Sequence, residues 1–444
     1  MNNSAYDNNK SDQPEKIIKT KKTAFKVNYD LYSEEDFLKD CPNYQFVPTI
    51  MPAAKRIIVM GDIHGDFNLT IQSFKLAKLI DDKLNWIANP PDTIVVQVGD
   101  QIDSCRPIPG VYDCHNKPQP GDLPEDMTII DFFNQMHQKA SEQGGAVYSL
   151  LGNHELMNAD GRFEYVSHAN YYDFSYENLI GTTGRKNAFK PGGPVANILA
   201  CTRNSVIIIG SNMFVHAGIL PKLAERLDHL NIDNNTKLKY LNAIVRKWLL
   251  NKLSNYEDME NKKLFIDDVK LSPFWTRIYG TIPENTNLNS SECFNTVKKI
   301  IEVFKIGQIV IGHTPQLFTL GDGINGTCYE KGKKNKLYRV DGGFSRAFKI
   351  FENNDIIQVL EIIDDNKFNI IRDTTIHKYA QPKPILDINE RELKKIASIY
   401  AQNRISSPTS QNSNMNSSEF QNEISPTNYI KQKRSIKNFR NFVY

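Results

Sequence analysis

The stretch RIIVMGDIHGD, residues 56–66, joins a β-branched apolar run directly to two aspartates and a histidine spaced by glycines. The run has the composition and length of a buried strand, and the glycines mark an abrupt turn at its end. The same construction recurs twice: TIVVQV (93–98) leads into GDQID (99–103), and AVYSLL (146–151) leads into GNHE (152–155). Between these runs, Phe74, Leu76, Leu79 and Ile80 of IQSFKLAKLI (71–80) recur at helical spacing, as do the apolar positions of MTIIDFFNQMHQKA (127–140). The alternation is βαβαβ, which predicts parallel strands with right-handed crossovers.

A second set of strands is expected in SVIIIG (205–210), MFVHAG (213–218), QIVIG (308–312), LYRVD (337–341) and IIQVLEII (356–363). The segment 238–253 reads as a helix with Leu238, Leu241, Ile244, Val245, Trp248 and Leu249 on one face, inside a mainly helical insertion over 220–275. The expected organisation is a polar, mostly flexible leader over 1–50, one catalytic domain over 51–370, and a C-terminal extension over 371–444. That extension holds a short helix at 389–401, where Asn389 and Glu392 resemble a capping box, then a Ser/Asn-rich linker too poor in apolar residues to fold alone. Its basic end reads first as a solvated terminus. The second reading is a membrane-surface or partner contact, with Ile436, Phe439, Phe442 and Val443 opposite Lys433, Arg434, Lys437 and Arg440.

Whole-chain properties exclude several classes. Lys plus Arg number 54 against 51 Asp plus Glu in 444 residues, a net charge of +3 that makes no case for a nucleic-acid groove. The first 26 residues lack the apolar core of a signal peptide, and no run approaches the ~18 apolar residues of a membrane span, so a cytoplasmic protein is expected. The cysteines at 41, 105, 114, 201, 293 and 328 form no CxxC pair and read as neither a zinc ribbon nor a disulfide framework. Cys105, Cys114 and His115 read as chance neighbours in a loop, and a reducing compartment fits.

The chemistry is concentrated at the strand ends. In an open α/β sheet, ligands bind beyond the carboxyl ends of the strands, so the polar turns are expected to converge. Collected with His216 of VHAG and His313 of IGHT, the candidates are Asp62, His64, Asp100, Asn153, His216 and His313, an oxygen and nitrogen set suited to Mn, Fe or Zn. Six ligands sharing Asp100 as a bridge can hold two divalent ions about 3.5 to 4 Å apart. Two such ions carry more positive charge than two aspartates cancel, an excess that favours a phosphate group and lowers the pKa of coordinated water to about 7. The implied reaction is phosphoester hydrolysis. His154, beside Asn153, is placed to protonate the leaving oxygen, with Asp103 as the carboxylate that orients it. The histidines at 115, 137, 168, 229 and 377 read as ordinary surface or core residues.

The ordered motifs GDxHG, GDxxD, GNHE, HxG and GH resemble the calcineurin-like metallophosphoesterases over roughly residues 54–365. Within them GNHELMNADGRFEYVS, FKPGGP, MFVHAGILP, SPFWTRIYG and VDGGFSRAF resemble the Shewanella-like branch of the phosphoprotein phosphatases. The resemblance implies a four-layer αββα sandwich, a Mn or Fe/Zn pair, and hydrolysis of phosphoserine, phosphothreonine or phosphotyrosine in protein substrates. It places Asp62, His64 and Asp100 at one metal and Asp100, Asn153, His216 and His313 at the other, with His154 as acid and Asp103 as its partner. The chain departs from the pattern GDxxDRG: Ser104 stands where the family has a phosphate-binding arginine. Arg106 and Arg277 are the candidates to replace it, with Arg346 a weaker third. Two alternatives remain: a nucleotide phosphohydrolase such as a symmetrical dinucleoside tetraphosphatase, and a phosphoprotein-binding scaffold with little turnover.

Overall fold

The computed structural model describes residues 32–108, 112–119, 121–316, 323–330, 334–348 and 356–373. Residues 1–31, the expected helix 389–401 and the basic C-terminal end lie outside the described residues. Two six-stranded sheets carry the fold. One is ordered β14 (Lys367–Arg372), β13 (Gln358–Ile363), β2 (Arg56–Met60), β3 (Ile94–Gln97), β4 (Ala146–Leu150), β7 (Arg203–Asn204). The other is ordered β1 (Ile50–Met51), β8 (Val206–Ile209), β9 (Asn212–Val215), β10 (Gln308–Ile311), β12 (Asn335–Arg339), β11 (Asn325–Tyr329). A separate hairpin pairs β5 (Ser175–Tyr176) with β6 (Leu179–Ile180).

The runs expected to form the first βαβαβ unit pair in parallel, with Met60 opposite Gln97 and Gln97 opposite Ser149. Their last residues therefore lie side by side, and the three polar turns leave the sheet at one edge. In the other sheet β9 and β10 are parallel, with Val310 opposite Phe214, so His216 and His313 also follow neighbouring strand ends. One apolar core joins the facing sheets, with Val59, Val96 and Leu360 meeting Ile207, Phe214 and Val310. The central strands of both sheets read as near-continuous apolar runs because both their faces are covered. On the outer side of the first sheet, helix Phe67–Leu76 and helix Asp126–Ser141 meet through Phe74 and Phe132, ring centroids 5.2 Å apart. The sandwich of mixed sheets between helices is the expected fold class.

The strong helix of the insertion spans Asn234–Leu249, capped by Asp233 accepting from the Thr236 N–H at 3.1 Å. All six residues assigned to its apolar face are buried. Burial of each is worth roughly 1.5–3 kcal/mol. Helices Pro221–Arg226 and Tyr256–Lys262 flank it. The described end of the polar leader is ordered: helix Glu34–Asp40 begins with a Ser33–Asp36 capping box and buries Phe37.

One reading of the sequence is overturned. All six cysteines pair, as Cys41–Cys201, Cys105–Cys114 and Cys293–Cys328. The first pair spans 160 residues, so no local spacing could have announced it. Cys105 and Cys114 are a bridge rather than chance neighbours. Because disulfides persist chiefly in oxidising surroundings, cysteine usage no longer supports a reducing compartment. Among the described residues no helix is long and apolar enough to cross a membrane.

Candidate metal centre

The six predicted ligands meet at the shared edge of the two sheets. The turn after β2 is fastened to the turn after β3 by the Ile63 and His64 N–H groups, both donating to the Asp100 carbonyl at 2.9 Å. The turn after β9 is fastened to that after β10 by the Gly312 N–H donating to the His216 carbonyl at 2.8 Å. His64 Nε2 lies 3.8 Å from both Asp62 Oδ2 and Asp100 Oδ2, and His216 Nε2 lies 3.3 Å from the same Asp100 oxygen. Asn153 Oδ1 is 3.0 Å from His216 Nε2. His313 places its backbone N–H 3.0 Å from Asp62 Oδ2, and its ring centroid 5.0 Å from that of His216.

Donor atoms of His64, Asp100 and His154 form one buried cluster and those of Asp100, His216 and His313 another, each within 4.8 Å. Asp100 belongs to both, which is the geometry a bridging carboxylate requires. His154 enters the first cluster beside Asp100, with Nε2 3.9 Å from Asp100 Oδ2, while its Nδ1 is 2.8 Å from Asp103 Oδ2.

The surroundings suit cations. The Nδ1 atoms of His216 and His64 face the carbonyls of Val98, at 2.8 Å, and Ile102, at 3.3 Å, leaving each Nε2 to face the cluster. His313 reverses this, with Nε2 3.0 Å from the Trp275 carbonyl. Such outer hydrogen bonds are how ligating imidazoles are oriented. Burial holds His64 and His313 well below the usual imidazole range, with Arg106 and Arg277 respectively adding to it, so both stay in the neutral form that ligates. Burial lifts Asp62 well above the usual carboxylate range, and the charges of Asp341 and Asp100 push it further. For Asp100, burial acts upward but is outweighed by His216 and His154, which hold it well below that range.

Two glycines are required by close approach. A Cβ on Gly152 would collide with the Asp100 carboxylate, and one on Gly312 with that of Asp62. Four candidates that are not glycine adopt left-handed backbone: His64 (φ 48°), Asp100 (φ 54°), Asp103 (φ 73°) and His313 (φ 68°). Each costs about 1–3 kcal/mol, strain that clusters where geometry serves chemistry.

The arginines divide. Arg277 donates to the His313 carbonyl at 3.1 Å and is only half-buried. Arg106 is buried, with Nη1 donating to the carbonyls of Asp103 at 3.0 Å and Cys105 at 2.7 Å. Its guanidinium lies 4.5 Å from the Phe348 ring centroid and 5.7 Å from that of Tyr165. Arg346 is tied to Glu125 and to the Gly65 carbonyl, both at 2.7 Å. Ser104, in the place of the missing arginine, packs under the Gly65 turn and accepts from Asn170 Nδ2 at 3.3 Å.

Several residues around the centre escaped the sequence reading. Glu155 ends the GNHE motif and accepts from the N–H groups of Gly152 at 2.7 Å, Asp100 at 3.0 Å and Gln101 at 2.7 Å. Its place in that motif was the available signal. Asp341 is buried; Oδ1 accepts from the Gly343 N–H at 2.9 Å, whereas Oδ2 has no hydrogen-bond partner. Asn158, Arg185 and Asp126 form a buried group behind Asp103, and nothing in their local sequence marks them.

The family model for calcineurin-like phosphoesterases matches residues 55–317, and the chain belongs to that family. Its relatives narrow the class. The chain is 62% identical over 245 residues to an uncharacterized protein of Acanthamoeba polyphaga mimivirus, covering 54% of this chain and 97% of that one. It is 24% identical over 381 residues to Shewanella-like protein phosphatase 2 of Arabidopsis thaliana, covering 77% of this chain and 84% of that one. The fold is shared with a cold-active protein tyrosine phosphatase whose structure was solved at 1.1 Å, at TM-score 0.50 and 20% identity over 73% of this chain and 81% of that one.

Proposed function

We propose that this phosphoesterase is a protein phosphatase that uses two divalent cations, Mn or an Fe/Zn pair. Asp62, His64 and Asp100 would hold one ion, and Asp100, Asn153, His216 and His313 the other. The observation that carries the reading is Asp100, the one carboxylate common to two donor clusters. When bound, the ions supply Lewis acidity and activate water at neutral pH. The chain's own residues orient the ester and manage its proton. His154 delivers a proton to the leaving oxygen through Nε2, because Nδ1 is engaged by Asp103 at 2.8 Å. Arg277, the half-buried arginine beside His313, binds the phosphate oxygens, while buried Arg106 adds positive potential from behind His64. The relative named a Shewanella-like protein phosphatase supports a phosphoprotein substrate over a nucleotide. The three disulfides favour assembly in an oxidising environment over the cytoplasm.

Purified protein supplied with Mn²⁺ and offered phosphopeptides, p-nitrophenyl phosphate and diadenosine tetraphosphate tests the substrate class. Turnover of phosphopeptides without the dinucleotide is expected. Preference for diadenosine tetraphosphate would make it a nucleotide phosphohydrolase, and inactivity on every ester would leave a binding scaffold.

A further inference from the structure

Asp103 is fully buried, and both its oxygens are engaged. Oδ2 faces His154 Nδ1 at 2.8 Å, while Asn158 Nδ2 donates to Oδ1 at 2.9 Å and to Oδ2 at 3.1 Å. Behind that amide stands Arg185, itself fully buried. Its Nε and Nη2 donate to Asn158 Oδ1 at 3.0 and 2.8 Å. Nη2 also reaches Asp126 Oδ2 at 2.8 Å and, more distantly, Asp103 Oδ1 at 3.4 Å. Nη1 donates to the Asn170 carbonyl at 3.1 Å, and the guanidinium lies 4.7 Å from the Phe189 ring centroid. Asp126 closes the group by accepting the Asp103 N–H at 3.3 Å.

This arrangement is directional. An amide presents an oxygen or an NH₂ depending on which way it is turned, and a carboxylate accepts only from the NH₂ end. By occupying Asn158 Oδ1 from two nitrogens, Arg185 dictates that the NH₂ faces Asp103. That donation, with the longer contact from Nη2, holds the Asp103 carboxylate in the plane that meets His154 Nδ1. His154 Nε2 is thereby aimed toward Asp100 and the cluster.

We propose that Arg185 is a positioning residue for proton delivery, acting through Asn158 and Asp103 on His154, with no contact of its own to substrate. The inference rests on the reading of His154 as the acid. A purely structural arginine would stabilise the fold and affect all substrates alike. A positioning arginine affects substrates according to how much their leaving group needs a proton.

The test compares Arg185→Lys, His154→Asn and the double variant on 2,4-dinitrophenyl, p-nitrophenyl and phenyl phosphate, with bound metal measured in each. His154→Asn should lose about 10²-fold or more on phenyl phosphate and much less on the dinitrophenyl ester. Arg185→Lys should show the same order of losses, about 10-fold on phenyl phosphate, with metal content unchanged. It should add no further loss in the His154→Asn background, since both act on one step. Equal losses on all three esters, an additional loss in the double variant, or no loss at all would overturn the role of Arg185. If His154→Asn itself loses equally on all esters, the acid reading falls instead. Should Arg185→Lys fail to fold, Asn158→Ala must show the leaving-group pattern, and its absence there overturns the proposal equally.

Discussion

Asp62 and Asp103 are two aspartates of one site, both buried, and they are treated oppositely. Asp103 is surrounded by donors: His154, Asn158 and the guanidinium of Arg185. Asp62 receives the backbone N–H of His313 and faces the carboxylates of Asp341 and Asp100, which with burial raise it well above the ordinary range. The protein completes the half of the centre proposed to deliver the proton from its own side chains. Around the candidate ligand Asp62 it supplies carboxylates instead of cationic side chains, an environment in which the ionised form becomes favourable only with cations present.

The largest effects test that division directly. Asp100→Asn removes the carboxylate common to both clusters and should abolish both metal binding and turnover, read by elemental analysis and by rate. His154→Asn should keep its metal and lose about 10²–10⁴-fold in turnover. Loss of metal in the second variant, or its retention in the first, would erase the distinction between the halves.

The phosphate clamp comes next. Arg277→Ala should raise KM for phosphate esters by about 10- to 100-fold, the worth of a hydrogen bond to a charged group. Inorganic phosphate should weaken as an inhibitor by the same factor. Arg106→Ala, acting from a buried position, should also disturb its own loop, visible as a lowered Tm that Arg277→Ala does not show.

Asp341 sharpens the comparison through stability. Burial pushes its carboxyl up to about 6. A folded pKa above the unfolded one means that the folded state binds more protons, so stability falls as pH rises from about 4 to about 6. Metal-free Asp341→Asn should therefore unfold at higher temperature than the parent at pH 7.5. That advantage should shrink as pH falls through 6 and vanish below about pH 3, where the parent carboxyl is protonated in both states. The same variant should bind Mn²⁺ less tightly by calorimetry. A variant less stable than the parent at pH 7.5 would show that Asp341 is compensated after all.

The smallest effect concerns the frame around the site. Thiol titration of the denatured, unreduced protein should find no free cysteine, and six after reduction. Replacing Cys105 and Cys114 together should cost about 2–3 kcal/mol, because the bridge closes a short loop. Activity should fall only as far as the neighbouring Arg106 moves.

The convergence of the candidate ligands was legible because each sits within a few residues of a β-branched run, and strand ends in a parallel sheet are gathered by topology. Asp62 after β2, Asp100 after β3 and Asn153 after β4 needed only that rule. The sheet carrying His216 and His313 was harder to complete. Its strands β1 and β11 were missed, as were β7 and β14 of the other sheet and the β5–β6 hairpin: four of the six are two residues long, and β11 and β14 are edge strands with mixed polar sequence.

What the amino-acid order determined by itself is which side chains gather: oxygen and nitrogen donors on glycine turns, and the hydrogen-bonded pair His154 and Asp103 from adjacent motifs. What only the tertiary structure decided is how charge is balanced around them. Arg185 reaches Asp103 across 82 positions and Asp126 across 59, and Cys41 meets Cys201 across 160. Turn geometry and strand patterning act over a handful of residues and leave a trace in the order of the chain. Compensation of a buried charge depends on which distant side chains the packed core delivers to it, and that is established only when the core forms.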